Sequence, residues 1–257
     1  MGPTRLSTVK INKRNTVTVN TNPAPPPQQT LAQLLVSVPC WAKYRGSSYA
    51  NNVLPDESGN GRNATCFTCN LSNTMNNGGG PTPISIMRGV STIKGSSTVL
   101  FPVGSIPPTH TIAFIARYSG GTTNRILTGH LGQNYILGHH SAKQGVWYDG
   151  TQWVTPIVAG KPISNTTTNL SDWLNMCVVS SGTAPPDNVI VNGIGKGTLA
   201  VTPNATINQL AINTSSYLEQ SSFELANLII WNVALTPVQI KAVTDSFANY
   251  ILNGNLI

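Results

Sequence analysis

The chain has 257 residues, 40% hydrophobic and only 9% charged, with a net charge of +7. That is enough apolar material for a sizeable core, which excludes bulk disorder, and the length suits one large all-β domain or two small ones. The longest apolar runs are far too short for a bilayer and "MGPTRLSTVK" lacks the apolar region of a secretory signal, so neither a transmembrane segment nor the secretory route is expected.

Residues 1–35 read as a basic, proline-rich arm. The first 55 residues carry Arg5, Lys10, Lys13, Arg14, Lys43 and Arg45 and no acid, so the basic character belongs to this end. A basic arm can meet nucleic acid, a membrane surface or an acidic protein. "VKINKRNTVTVNT" alternates well enough to add a strand to something, and "NPAPPPQQT" is an extended polyproline spacer. Arg5, Lys10, Lys13 and Arg14 are therefore the candidate partner-binding residues. The body is expected over residues 36–257, entered through the short apolar segment "LAQLLVSVPCW".

Next comes "NVLPDESGNGRNATC", with Asp56 and Glu57 at the head of a Gly- and Asn-rich turn. A metal site, a carboxylate pair and a plain turn would each place them there. The turn is the preferred reading: Asp56 caps backbone N–H groups, and Gly59 and Gly61 supply positive φ. The cysteines are Cys40, Cys66, Cys69 and Cys177. "CFTC" has metal-like spacing, but no second close pair accompanies it. Mostly reduced structural thiols are expected, with a Cys66–Cys69 or Cys40–Cys66 disulfide as the lesser alternative.

With 27 Asn and 29 Thr, and few Glu or Lys, the rest favours strands and tight turns. Strand-length segments fall at 97–103, 110–118, 124–130, 134–140, 145–150, 173–181, 188–194, 207–213 and 223–232. Asn192-Gly193 is a type I′ hairpin signal. Six Asn-x-Ser/Thr sequons, at Asn63, Asn70, Asn165, Asn169, Asn204 and Asn213, are read as compositional. A helix is predicted at 237–252. Thr236 and Gln239 form its capping box, Pro237 its first position, and Ile240, Val243, Phe247 and Ile251 its apolar face.

The order of these pieces resembles the concanavalin A-like lectin/glucanase superfamily, in its laminin-G-like or pentraxin-like branch. The early "D-x-S-G-N-G-x-x-A/G-T" turn is matched by Asp56, Ser58, Gly59, Asn60, Gly61, Asn63, Ala64 and Thr65. The "f-T-I-s-f-w" strand is matched by Thr111 to Ala116, and the tryptophan strand and "N-G" hairpin by Trp173 to Ser181 and Val189 to Gly193. The closing segment is matched by "ELANLIIWNVALTPVQI", Glu224 to Ile240. The resemblance covers about residues 41–252. It implies an antiparallel two-sheet jelly-roll sandwich over 41–235, with one C-terminal α-helix and an extended N-terminal arm.

Glycan hydrolases of that superfamily carry clustered carboxylates, since one group protonates the leaving oxygen while another attacks or activates water. Here the close acidic pairs are Asp56/Glu57 and Glu219/Glu224. Each falls on opposite faces of a continuous strand. No serine-histidine-aspartate signature appears around His110, His130, His139 or His140. The chain is therefore expected not to be an enzyme, and catalytic residues are expected to be none. Asp56, Asp149 and Asp187 could serve calcium, but no D-x-D or D-x-N run marks a site, so neither metal nor cofactor is expected.

The region from Tyr135 to Trp153 concentrates aromatic and polar residues. Tyr135, His139, Trp147, Asp149 and Trp153 are the candidate glycan-binding set, because sugars stack on rings and hold hydroxyls to carboxylates and amides. The competing reading places Trp147 and Trp153 in the core. The preferred function is a non-catalytic structural component of a virus particle, a minor capsid or capsid-associated protein. It resembles the lectin-like virion proteins of large DNA viruses, and its arm would contact neighbouring capsid or assembly subunits. No specific nucleic-acid partner is expected, and the location is the virion. The alternative is a glycan-binding lectin module for attachment to surface carbohydrate.

Overall fold

In the computed structural model, the residues described are 29–66, 71–76, 90–119, 122–155, 157–158, 161–162, 173–182, 188–197, 201, 206–213 and 219–253. The chain opens with helix α1 (Leu31–Ser37), then β1 (Ala42–Arg45), β2 (Val53–Leu54), β3 (Ala64–Cys66), β4 (Ser72–Asn76), β5 (Val90–Gly95) and β6 (Val99–Leu100). The middle supplies β7 (His110–Tyr118), β8 (Leu127–Gly129), β9 (Ile136–His140), β10 (Lys143–Tyr148), β11 (Ile157–Val158) and β12 (Lys161–Pro162). It closes with β13 (Leu174–Ser180), β14 (Val189–Val191), β15 (Ile194–Gly197), β16 (Leu210–Ile212), β17 (Phe223–Trp231) and helix α2 (Pro237–Asn253).

Two antiparallel sheets carry the fold. One is ordered β15-β14-β13-β7-β17-β5-β4, with β1 also pairing along β17; the other is ordered β10-β9-β8-β16-β6-β3-β2. β11 and β12 form a separate two-stranded ribbon. The expected two-sheet sandwich with a C-terminal helix is what the chain forms.

Period-two alternation explains the layers. Ile112, Phe114, Ala116 and Tyr118 of β7 enter the core between the sheets, as do Leu174, Met176 and Val178 of β13. The intervening Ala113, Ile115, Cys177 and Val179 face the other way and meet Ile240, Val243, Phe247 and Ile251 of α2. The eight-stranded sheet is thus covered on both faces, and its central strands are buried at every position. This is why they read as continuous apolar runs rather than alternating ones.

Local signals behave as their chemistry requires. Thr236 and Gln239 exchange side-chain bonds with each other's backbone N–H, at 2.8 and 3.4 Å, and cap α2. Thr30 and Gln33 do the same for α1, a helix within the segment expected only as an apolar entry to the body. Asn192 and Gly193 both take positive φ, at 49° and 78°, which the type I′ turn between β14 and β15 needs.

Asp56 is a turn residue, as preferred. Its Oδ1 accepts from the backbone N–H groups of Lys43 (3.0 Å) and Ser58 (2.9 Å), and its Oδ2 from that of Arg62 (3.1 Å). Burial works to raise its pKa, but bonds from Ser58, Lys43 and Arg62 outweigh it and hold the pKa below the usual value. Glu57 faces other partners, Arg45 at 3.2 Å and Lys43 at 3.8 Å. Cys40 and Cys177 are free and buried, as expected. Cys66 is disulfide-bonded, so the lesser alternative of a disulfide at this cysteine holds beside the two free thiols. The remaining cysteine, Cys69, lies outside the described residues.

Candidate functional site

The Tyr135–Trp153 region forms one edge of the seven-stranded sheet, and the pleat divides its side chains. Leu137 and Trp147 are a cross-strand pair and both enter the core. Ile136 and Tyr148, the next pair, sit on the opposite face.

Of the five glycan candidates, three are interior. Tyr135 is 2% exposed, and His139 and Trp147 are fully buried. His139 packs edge-on against Tyr118, with ring centroids 4.8 Å apart, and burial pulls its pKa down to about 3. None of these three has a ring face open to solvent.

Asp149 is also buried, and builds a turn. Its Oδ1 accepts from Thr151 N, Thr151 Oγ1 and Gln152 N, each at 2.8 Å. Gly150 takes φ of +100°, and a Cβ there would lie 2.0 Å from Ile207 Cδ1, so the turn needs glycine. The turn folds the chain back, so that Val154 N donates to Trp147 O (2.9 Å) and Trp153 bridges to Tyr148.

Trp153 is the candidate that stays partly exposed, and it does not stand alone. Its ring centroid lies 5.2 Å from that of Tyr148 and 5.7 Å from that of His140. His140 Nε2 is 3.7 Å from Glu219 Oε2. Arg125 Nε donates to that same oxygen, and Arg125 Nη1 donates to Asn134 Oδ1 at 2.8 Å. Arg125 N also donates to Glu219 O at 3.1 Å.

Burial lowers the His140 pKa; Glu219 works against that, while Arg125 and Lys143 add to it. His140 is therefore neutral at pH 7, and Arg125 offsets the Glu219 charge. The result is three rings side by side, with a carboxylate and an amide at one end. Such a surface can cover an apolar ring face and hydrogen-bond the polar groups at its rim.

His140 and Tyr148 fall within the 135–153 region but outside the predicted glycan-binding set. Arg125 and Glu219 were missed. They are 94 residues apart and meet only because the segments before β8 and before β17 close against each other, for which the sequence carries no local signal. The arm candidates Arg5, Lys10, Lys13 and Arg14 lie outside the described residues. Among the described residues no group of three His, Cys, Asp or Glu could hold a metal ion, and no helix is long and apolar enough to cross a membrane.

No family model and no curated protein sequence matches the chain. Solved structures match it in fold. A Trypanosoma rangeli sialidase in complex with sialic acid is similar at TM-score 0.52 and 16% identity, over 80% of this chain and 32% of that one. The same sialidase in complex with 2,3-difluorosialic acid, a covalent intermediate, gives TM-score 0.51 and 14% identity, over 81% and 33%. The binding domain of botulinum neurotoxin DC, in complex with rat synaptotagmin II, gives TM-score 0.51 and 12% identity, over 80% and 51%. The chain thus spans about a third of the sialidase and about half of the toxin chain. At such identities the likeness shows the fold alone, a two-sheet β-sandwich.

One expectation is corrected here. The lack of a carboxylate cluster predicted that the chain is not an enzyme, but the similar structures include sialidases, which are enzymes. Paired carboxylates are one route to glycoside cleavage, and not every glycosidase uses them, so their absence does not exclude catalysis.

Proposed function

We propose that the chain is a glycan-binding module whose site is the Trp153 face of the seven-stranded sheet. The observation that carries this is the row Tyr148–Trp153–His140, set beside the Glu219–Arg125 pair. A sugar ring offers apolar C–H faces and hydroxyl edges. The rings of the row suit the first, and Glu219 and Asn134 suit the second. A protein of similar fold has been solved with sialic acid bound, which supports a carbohydrate as ligand.

The test is a glycan array followed by calorimetric titration of the best ligand. Trp153→Ala should weaken that ligand about tenfold or more, ~1.4 kcal/mol. Val36→Ser, at an exposed position of α1, should change nothing. An intact affinity in Trp153→Ala, or an array with no binder, would sink the proposal.

A second reading is a structural component of a virus particle, located in the virion, with residues 1–28 contacting neighbouring subunits. The sequence of that segment favours it, with Arg5, Lys10, Lys13 and Arg14, an alternating stretch and a polyproline spacer. Deleting residues 1–28 should then leave the sandwich folded and abolish assembly. Normal assembly of the truncated chain would end this reading.

A further inference from the structure

Beneath the Asp149 turn, at one end of the sandwich, the sheets do not quite close. A cavity of about 10 Å³, measured with a water-sized sphere, is lined by His110, Tyr135, Trp147, Asp149 and Ser180, with Pro108 at its exposed rim. Three of these side chains bring a buried polar atom with no hydrogen-bond partner among the described residues: Asp149 Oδ2, Trp147 Nε1 and Ser180 Oγ. Asp149 and Trp147 come from the seven-stranded side and Ser180 from the end of β13, so the cavity is shared by both sheets.

The donors and acceptors restrict what can sit there. His110 Nδ1 lies 2.6 Å from the Pro107 carbonyl, which must accept, so this nitrogen carries the proton. Burial keeps His110 neutral, its pKa pulled down to about 4, which leaves Nε2 as an acceptor for the Tyr135 hydroxyl at 3.4 Å. The Trp147 N–H lies beside the Tyr135 hydroxyl and acts on it as a weak donor, without reaching full hydrogen-bond geometry. The cavity therefore offers one carboxylate acceptor, one fixed N–H donor and one hydroxyl that can do either. A cation would be repelled by the N–H, and an anion by Asp149. A buried unpartnered carboxylate oxygen is costly, and so is a buried indole N–H.

We infer that this cavity is a binding site for one neutral O–H group, water or the hydroxyl of a small alcohol, held by Asp149 Oδ2, Trp147 Nε1 and Ser180 Oγ. The group donates to the carboxylate, accepts from the indole and bonds the serine in either sense. Its size agrees, since a cavity of about 10–15 Å³ by this measure takes one water. It links the two sheets and ties down the turn that presents Trp153.

Crystals of the full chain at high resolution test this directly. One density peak is expected within hydrogen-bond distance of all three atoms. A soak in methanol distinguishes the two sources. A peak that lengthens toward Pro108 shows that alcohols enter, an unchanged peak shows that water alone is held, and either upholds the site. An empty cavity overturns it, as does anomalous signal from thallium at that point after a thallium soak, which would mark a cation site. In solution, magnetisation transfer from water to the Trp147 indole proton should be strong and should fall in Ser180→Ala. An unaltered transfer in that variant removes Ser180 from the site.

Discussion

Asp56 and Glu57 are sequence neighbours with separate tasks. Three backbone N–H groups end on the Asp56 carboxylate, whereas Glu57 meets two surface cations. Asp56→Ala should therefore cost about 2–3 kcal/mol, because three part-buried donors lose a charged acceptor. Glu57→Ala should cost within about 1 kcal/mol, the usual worth of a partly exposed pair. Urea denaturation distinguishes the two. The Asp56 role was legible, since its D-x-S-G-N-G spacing encodes the turn. The Arg117–Glu224 pair was not: Glu224 is 2% exposed, takes Arg117 at 3.0 Å, and Arg117 stacks 4.4 Å over Trp173. Only the pairing of β7 with both β17 and β13 brings those three together. Trp153 could be chosen from composition, but whether its neighbours Trp147 and Tyr135 faced in or out depended on register, which sequence alone does not fix.

Elements with a complete local code were the readable ones. The capping box and apolar stripe of α2 placed it over 237–252, against an observed Pro237–Asn253. β7 falls at His110–Tyr118, as its apolar run requires. The turn between β9 and β10 shows the opposite case. Ser141 and Ala142 both take positive φ, at 48° and 60°, where type I′ turns favour Asn-Gly. Left-handed backbone is costly for alanine, so Ala142→Gly should raise stability by ~0.5–1 kcal/mol despite the added chain entropy. A higher thermal midpoint checks this, and a lower one would show that the turn is not strained. The turn adjoins His140, so the same variant also shows whether that stiffness matters to ligand binding.

At the scale of the whole molecule, two histidines make stability depend on pH. His110 and His139 are buried with pKa values near 4 and 3, below their unfolded value of about 6.5. The unfolded chain binds more protons, so their contribution is complete above about pH 6.5 and declines as pH falls toward 4. The loss is about 3 kcal/mol for each by pH 4. Urea midpoints should be level from pH 8 to 7 and drop below 6.5. His139→Phe, which keeps the ring against Tyr118, should make the drop shallower; an unchanged slope would refute the assignment. The two-layer architecture itself was legible from motif order. The pairing of β4 with β5 was not, since their strands lack any apolar run, and neither was the disulfide at Cys66, because cysteine spacing alone leaves connectivity open.

Cys177 lies on the face of β13 that α2 covers, 1% exposed, with burial pushing its thiol up to about 12. In that position it can react with a reagent only when the helix lifts away. Its modification rate is then a clock for the opening of one layer, and comparison with the rate of global unfolding tells whether α2 leaves alone. A rate well above global unfolding, slowed by no change at the Trp153 face, would make the helix an independently detachable cover. A rate equal to it would make helix and sheets a single cooperative unit.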